Sequence, residues 1–187
     1  YYSKGCDSKE LFADLEIAKS ALFECNLNQY NVIYLDITLF LSTLQRDETL
    51  IKQIEKEIIR DLGRVYSQVQ DEENLIDALC AVNEITGEKL ILIIDEWDAM
   101  FRECKGQDKI LDSYILLLRS LFKSSLTDQL FAGVYMTGIL PIKKYGHESA
   151  VSDFYEYTMV DPRPLQEYIG FTEAEVKALC RKHRKEY

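Results

Sequence analysis

The chain has 187 residues, of which 47% are hydrophobic and 29% are charged. This length suits one domain with a substantial core, and the composition excludes a wholly disordered chain. The net charge of -10 argues against a nucleic-acid footprint over the whole surface and leaves a local basic patch open. The five cysteines include no Cys-x-x-Cys pair and the two histidines lack partners at metal-ligand spacing, so neither a zinc site nor a disulfide framework is predicted.

The ends of the chain and its hydropathy bear on its location. No apolar run reaches the roughly eighteen residues of a membrane-spanning helix, and no signal peptide precedes Tyr1. The sequence therefore predicts a cytoplasmic protein with reduced thiols and no membrane partner. Because the chain begins Tyr1-Tyr2-Ser3 without an initiator methionine, we expect it to be a piece of a longer protein.

Predicted helices and strands alternate along the chain. Helical spacing of apolar residues predicts helices over residues 7–22, 47–65, 75–86, 110–122 and 173–185. Asn74 is a predicted N-cap and Gly87 a predicted C-terminal stop, and Thr172 with Glu175 predicts a capping box for the C-terminal helix. Runs of β-branched and aromatic residues predict strands over residues 31–37, 89–95, 130–139 and 157–160, with a loop over 142–155.

Residues 89–98 organise the prediction of the fold, because an unbroken apolar run there ends abruptly in acids. A run without polar alternation indicates a strand that is covered on both faces, as in a parallel sheet. Together with the alternating helices, it predicts one α/β domain over residues 1–187, with a layered, mainly parallel sheet flanked by helices. Sites in such sheets lie at the carboxyl ends of the strands, where Asp95, Glu96 and Asp98 emerge.

Four apolar residues followed by Asp-Glu form the pattern known as Walker B in P-loop nucleotide triphosphatases. Asp95 at the strand tip is predicted to hold Mg²⁺, directly or through water, and Glu96 to orient a water for attack on the terminal phosphate. Thr137, at the end of a neighbouring strand, is a candidate to sense or position the same water. The alternative for Thr137 is a hydroxyl that bonds only to backbone. For the three acids as a group, the alternative is a solvated turn after a buried strand.

A phosphate cradle of the form Gly-x-x-x-x-Gly-Lys-Ser/Thr does not occur among the eight glycines of the sequence. Asp95 and Glu96 then place negative charge near a polyanion with little to offset it. We therefore expect this chain alone to bind ATP and Mg²⁺ poorly, and its nucleotide-binding residues stay unknown.

Beyond the acids, five segments resemble the AAA-ATPase-like family, bacterial proteins in which a P-loop ATPase domain is usually followed by a domain similar to PD-(D/E)XK nucleases. In chain order, the segments that carry the resemblance are residues 2–12, 32–36, 92–98, 136–142 and 170–176. They span nearly the whole chain. One departure is Trp97, which stands where the family usually has a tyrosine.

The resemblance implies an ATP-binding and ATP-hydrolysing domain whose P-loop lies just upstream of Tyr2. The first strand of a P-loop, AAA-like fold would then be missing from these 187 residues. In the family's sheet order that strand lies in the middle of the sheet, beside the strand ending at Thr137 and the strand near Val160. The resemblance assigns Asp95 to Mg²⁺ and Glu96 and Thr137 to catalysis in a parent that uses ATP. It also implies a following nuclease-like domain, and it leaves this chain inactive on its own.

Two other functions remain open. One is a non-catalytic regulatory or protein-interaction module that keeps the fold without hydrolysis. The other is a metal-dependent nuclease that uses Asp95, Glu96 and Asp98. The nuclease is disfavoured because consecutive residues of a strand point to opposite faces, and because the sequence has no PD-(D/E)XK signature. The oligomeric state and any binding of nucleic acid are left open.

Overall fold

The computed structural model describes residues 1–140, 154–166 and 170–187. Three parallel strands form one sheet in the order β1-β2-β3: β1 is Asn31–Asp36, β2 is Leu90–Asp95 and β3 is Phe131–Met136. Helices connect and cover these strands, because parallel neighbours need crossover connections. The predicted α/β class with a parallel sheet flanked by helices is confirmed, while the absence of a first P-loop strand stays a prediction.

The helices match the predicted ones best where the apolar stripe is longest. They are α1 (Lys9–Phe12), α2 (Phe23–Asn26), α3 (Ile37–Thr43), α4 (Leu50–Val65), α5 (Leu75–Thr86), α6 (Ala99–Glu103), α7 (Asp108–Phe122), α8 (Thr127–Leu130) and α9 (Glu173–Lys182). As predicted, the Asn74 side chain accepts a hydrogen bond from the Asp77 N–H at the start of α5, and Gly87 ends that helix with φ +67°. Among the described residues, no helix combines the length and apolar character that crossing a bilayer requires.

The core lies on one face of the sheet. Leu92 and Ile94, alternate residues of β2, belong to the same buried cluster as Ile54 of α4, Leu79 of α5 and Leu118 of α7. Alternation along a strand sends these two side chains to the same face, and the amphipathic helices bury their apolar stripes against it. This packing fixes the position of the strand end at Asp95.

The other face of the sheet is partly open, which corrects the prediction that β2 is covered on both faces. Ile93 is only half-buried, and its register partners Tyr34 and Tyr135 are each 57% exposed. A cavity of about 510 Å³ lies on this face. The sheet residues that line it include Ile91, Ile93 and Tyr135. An unbroken apolar run predicts burial on average and does not reveal that the row through Ile93 faces a cavity.

The predicted first helix over residues 7–22 is wrong. The structure has only the single-turn helix α1, a 3₁₀ turn at Glu16–Lys19 and then α2. Leu11, Leu15 and Leu22 are between 50% and 76% exposed, so their helical spacing has no surface to pack against. Helices in proteins owe most of their stability to such packing, which explains why the segment breaks up.

The predicted strand over residues 130–139 is shorter than expected. Leu130 belongs to α8, and β3 ends at Met136, one residue before Thr137. The chain leaves the sheet after Thr137 because the backbone N–H groups of Ile139 and Leu140 bond to the Asp98 side chain.

The predicted strand over residues 157–160 is also wrong. In this part of the described chain the Thr158 N–H donates to the Asp161 carbonyl and the Asp161 N–H to the Thr158 hydroxyl, at 3.3 and 3.0 Å. Met159 and Val160 are 74% and 96% exposed. A strand needs a partner and a buried face, and this segment forms a local turn instead.

The chain separates into two compact units, Tyr1–Phe154 and Tyr155–Tyr187. The first holds the sheet and α1 to α8. The second holds the 3₁₀ turn at Arg163–Leu165 and α9, whose capping box between Thr172 and Glu175 is present as predicted. The predicted loop over 142–155 lies outside the described residues except at its end, and the boundary of a single domain over 1–187 stays a prediction.

Candidate functional site

The site is built on Asp95, the last residue of β2. The Thr137 hydroxyl donates to Asp95 Oδ1, and the Tyr34 hydroxyl donates to Oδ2 at 2.8 Å. Each carboxylate oxygen of Asp95 therefore accepts one hydrogen bond from a hydroxyl group. Tyr34 lies in the flanking strand β1, and Thr137 directly follows the flanking strand β3. Tyr34 reaches Asp95 because it lies two residues before Asp36, the register partner of Asp95, and so shares its face of the sheet.

These two bonds keep Asp95 ionised. Donation by Thr137 first and Tyr34 second holds the pKa of Asp95 below its ordinary value, and the bond to Asp95 raises the pKa of Tyr34. An ionised carboxylate at a strand end is the kind of oxygen donor that Mg²⁺ prefers, usually through water. The residues present therefore fit a magnesium ion held by Asp95.

Replacing Thr137 by valine is expected to raise the pKa of Asp95, because the main donor to its carboxylate is removed. A lowered pKa in the folded state contributes stability above the unfolded-state pKa, and that contribution is lost as pH falls through the folded value. Thr137→Val should therefore cost more stability at pH 7 than at pH 2. Carboxyl ¹³C NMR against pH measures the pKa directly, and Tyr34→Phe should raise it by less. An Asp95 titration that is unchanged in Thr137→Val would contradict the assignment.

Glu96 follows Asp95 outside the strand, with φ +52°. Its N–H donates to the Thr137 hydroxyl oxygen at 3.3 Å, and the next N–H, of Trp97, donates to the Thr137 carbonyl at 2.9 Å. Its carboxylate forms an ion pair with the guanidinium of Arg102 on α6. The Thr137 hydroxyl thus contacts both acids, the Asp95 carboxylate and the Glu96 N–H, whereas the Glu96 carboxylate has a different partner, Arg102.

Asp98 is fully buried, and its carboxylate holds neighbouring segments of the chain together. Its carboxylate accepts hydrogen bonds from the Ile139 and Leu140 N–H groups at 3.3 and 3.0 Å and from Arg102 Nε at 3.1 Å. These bonds tie the acidic turn after β2 to the segment after β3. Across the described residues no group of three or more His, Cys, Asp or Glu side chains is placed to hold a metal ion. The three-carboxylate nuclease arrangement is therefore not formed by these residues.

Trp97 and Gly138 are closely packed at the acidic turn that follows β2. Trp97 is 5% exposed, its ring lies 5.5 Å from that of Phe101, and its carbonyl accepts the Tyr114 hydroxyl at 2.9 Å. A Cβ on Gly138 would lie 2.7 Å from Asp98 Oδ1 and 2.8 Å from the Trp97 ring. Glycine is thus required where the end of β3 crosses the acidic turn.

The structure brings the predicted site residues Asp95, Glu96 and Thr137 together at one end of the sheet, and it turns Asp98 inward. Tyr34 and Arg102 were missed by the sequence reasoning. The spacing of Asp98 and Arg102, four apart, is a local signal for an ion pair on a helix, but no helix is predicted between the strand over 89–95 and residue 110. For Tyr34 no local signal exists, because its contact depends on the register between β1 and β2.

Comparison with known proteins decides the family. A family model described as a predicted AAA-ATPase matches residues 1–147 of the chain. The chain belongs to the AAA-ATPase-like family. No curated protein and no solved structure gives a match. The matched region of this AAA-ATPase-like chain contains all three strands and every side chain of the site described above.

The 187 residues do not include the motif by which a P-loop domain binds the phosphates of ATP. A P-loop binds phosphates through the amides of a glycine-rich loop and a lysine, and the sequence of this AAA-ATPase-like chain has no such motif. The site as formed by these residues matches a metal ion and a water, without a cradle for the phosphates.

Proposed function

We propose that this chain carries the metal-binding and water-activating half of an ATP-hydrolysing site, and that the phosphate loop comes from a segment preceding Tyr1. The observation that carries the proposal is the position of Asp95 at the end of the central strand, where its carboxylate accepts hydrogen bonds from the hydroxyls of Thr137 and Tyr34 and where Glu96 follows it. On this proposal the chain alone is idle.

Each residue has a distinct role in the proposal. Asp95 holds Mg²⁺ through its water, and bound Mg²⁺ offsets phosphate charge. Glu96 accepts a proton from the attacking water. Thr137 orients the Asp95 carboxylate with its hydroxyl and fixes the turn through its backbone, which gives the predicted catalytic threonine a positioning role.

The edge of β3 supports a place for the absent first strand. Within the described residues β3 pairs only with β2, and a Cβ built on Gly133 meets no atom within 4 Å. Parallel strands are normally buried on both faces, whereas Tyr135 is 57% exposed. A strand that pairs with β3, followed by the phosphate loop and a helix, would complete the sheet and bring the phosphates to the Asp95 end.

The coding sequence upstream of Tyr1 and the activity of its product test the proposal. We expect the upstream frame to encode Gly-x-x-x-x-Gly-Lys-Ser/Thr and the longer protein to hydrolyse ATP. Glu96→Gln should lower kcat by at least ~100-fold, the usual contribution of a general base. The matched control is Glu103→Gln, seven residues away in α6, which pairs with Arg46 at 2.9 Å and should leave kcat unchanged. A longer protein without this loop, or hydrolysis that is insensitive to Glu96→Gln, would favour the non-catalytic interaction module instead.

The remaining parts of the proposal come from the family resemblance. They are a cytoplasmic parent protein and a nuclease-like domain that follows this one. Secretion of the parent, or a gene that ends without such a domain, would remove them without affecting the proposed roles of Asp95 and Glu96.

A further inference from the structure

Arg102 contacts both of the acids that follow Asp95 in the turn, Glu96 and Asp98. Its Nη2 group pairs with Glu96 Oε2, and its Nε group donates to Asp98 Oδ2 at 3.1 Å. The Arg102 side chain is 29% exposed and that of Glu96 is 36% exposed, so the pair is partly shielded from water. A guanidinium keeps its charge at any working pH, so loss of a proton from Arg102 does not release this contact.

Asp98 makes the position of Arg102 stiff. The Asp98 carboxylate is fully buried and is itself fixed by the Ile139 and Leu140 N–H groups. The Arg102 N–H also donates to the Asp98 carbonyl at 3.1 Å, as part of the first turn of α6. The planar fork of arginine is therefore held at one end by a rigid acid and presents its other end to Glu96.

Within the described part of the chain, the two carboxylate oxygens of Asp95 accept hydrogen bonds from Thr137 and Tyr34, and Arg102 contacts Glu96 and Asp98 instead. Within the described residues the neighbouring acids thus have separate partners: Asp95 is bonded to neutral hydroxyls, which leave its charge available to a cation, whereas the charge of Glu96 is compensated by a fixed guanidinium. A carboxylate engaged in this way contributes little to a metal ion or a water at Asp95.

We propose that Arg102 is a positioning residue that withholds the Glu96 carboxylate from a Mg²⁺ ion at Asp95. The inference rests on the proposed function of Asp95 and Glu96 and adds to it a contact within this chain that has to break before Glu96 can act. Release of Glu96 adds a second negative charge beside the ion, directly or through the water of the metal.

A titration of this 187-residue chain with MgCl₂ tests the inference, with the carboxyl ¹³C resonances of Asp95 and Glu96 followed by NMR. In the unmodified chain the Asp95 resonance should shift with Mg²⁺ and the Glu96 resonance should not. In Arg102→Gln both should shift, and Mg²⁺ should bind roughly tenfold more tightly because a fixed positive charge is removed and a negative one is freed. Arg60→Gln removes an exposed arginine of α4 that pairs with Glu57, and it should match the unmodified chain.

A double variant separates the proposed action of Arg102 through Glu96 from a general effect of the Arg102 charge on Mg²⁺ binding. In the Glu96→Gln background, Arg102→Gln should tighten Mg²⁺ binding by less than about twofold if Arg102 acts through Glu96. A full tenfold gain there would overturn the inference. So would a Glu96 resonance that shifts together with that of Asp95 in the unmodified chain, a result that does not depend on whether Arg102→Gln folds. An Asp95 resonance that ignores Mg²⁺ would instead overturn the proposed metal role and the inference with it.

Discussion

Replacing Asp98 by alanine should lower the free energy of unfolding by about 3–5 kcal/mol, because three hydrogen bonds to a fully buried carboxylate are lost, each contributing about 1.5–3 kcal/mol. The loss leaves the Ile139 and Leu140 N–H groups without their acceptor and removes the partner of Arg102 Nε. Because these groups join the end of β2 to the segment after β3, the effect concerns the structure of the site as well as its stability. Urea denaturation measures it.

The matched control for Asp98 is an acid with an exposed partner. Asp61 on α4 pairs with Arg64 three residues away, and its side chain is 62% exposed. Asp61→Ala should therefore cost less than about 1 kcal/mol. If Asp98→Ala cost no more than Asp61→Ala, the buried network between the acidic turn and the segment after β3 would be ruled out.

Replacing Ile94 by alanine should cost about 2–5 kcal/mol, the range for large-to-small changes at buried sites. Ile94 is 2% exposed and lies in the main core on the helix-covered face of β2. The truncation leaves a cavity at the residue that directly precedes Asp95. Thermal or urea unfolding gives the magnitude.

Ile93, the preceding residue, is the control because it faces the partly open side of the same strand between two exposed tyrosines. Ile93→Ala removes the same atoms from a half-buried position, so we expect about 1 kcal/mol. Equal losses for the two variants would contradict the asymmetry between the two faces of the sheet.

Local sequence predicted the centre of this fold well. β2 follows from an unbroken apolar run that ends in acids, and α4 and α7 follow from long apolar stripes that the core buries. The first helix failed because its stripe has the same spacing but no surface to pack against. The spacing of apolar residues shows which side of a predicted helix is apolar. It does not show whether another part of the protein packs against that side.

The residues of the candidate site were likewise only partly predicted from the sequence. Asp95 and Glu96 were predicted because the acids adjoin a strand in sequence, and Thr137 because it ends another strand. Tyr34 and Arg102 were not, since one contact is set by strand register and the other by a short helix, α6, that begins right after the turn. The partners of both carboxylates thus depend on strand register and on the position of α6, which a linear motif does not encode.

Isothermal titration of this chain with ATP and Mg²⁺ tests the central claim most directly, namely that Asp95 and Glu96 form half of a nucleotide site and lack a phosphate cradle. The account predicts no binding with a dissociation constant below about 1 mM, because the acids face a polyanion with no phosphate loop to offset its charge. Sub-millimolar binding by these 187 residues would contradict it.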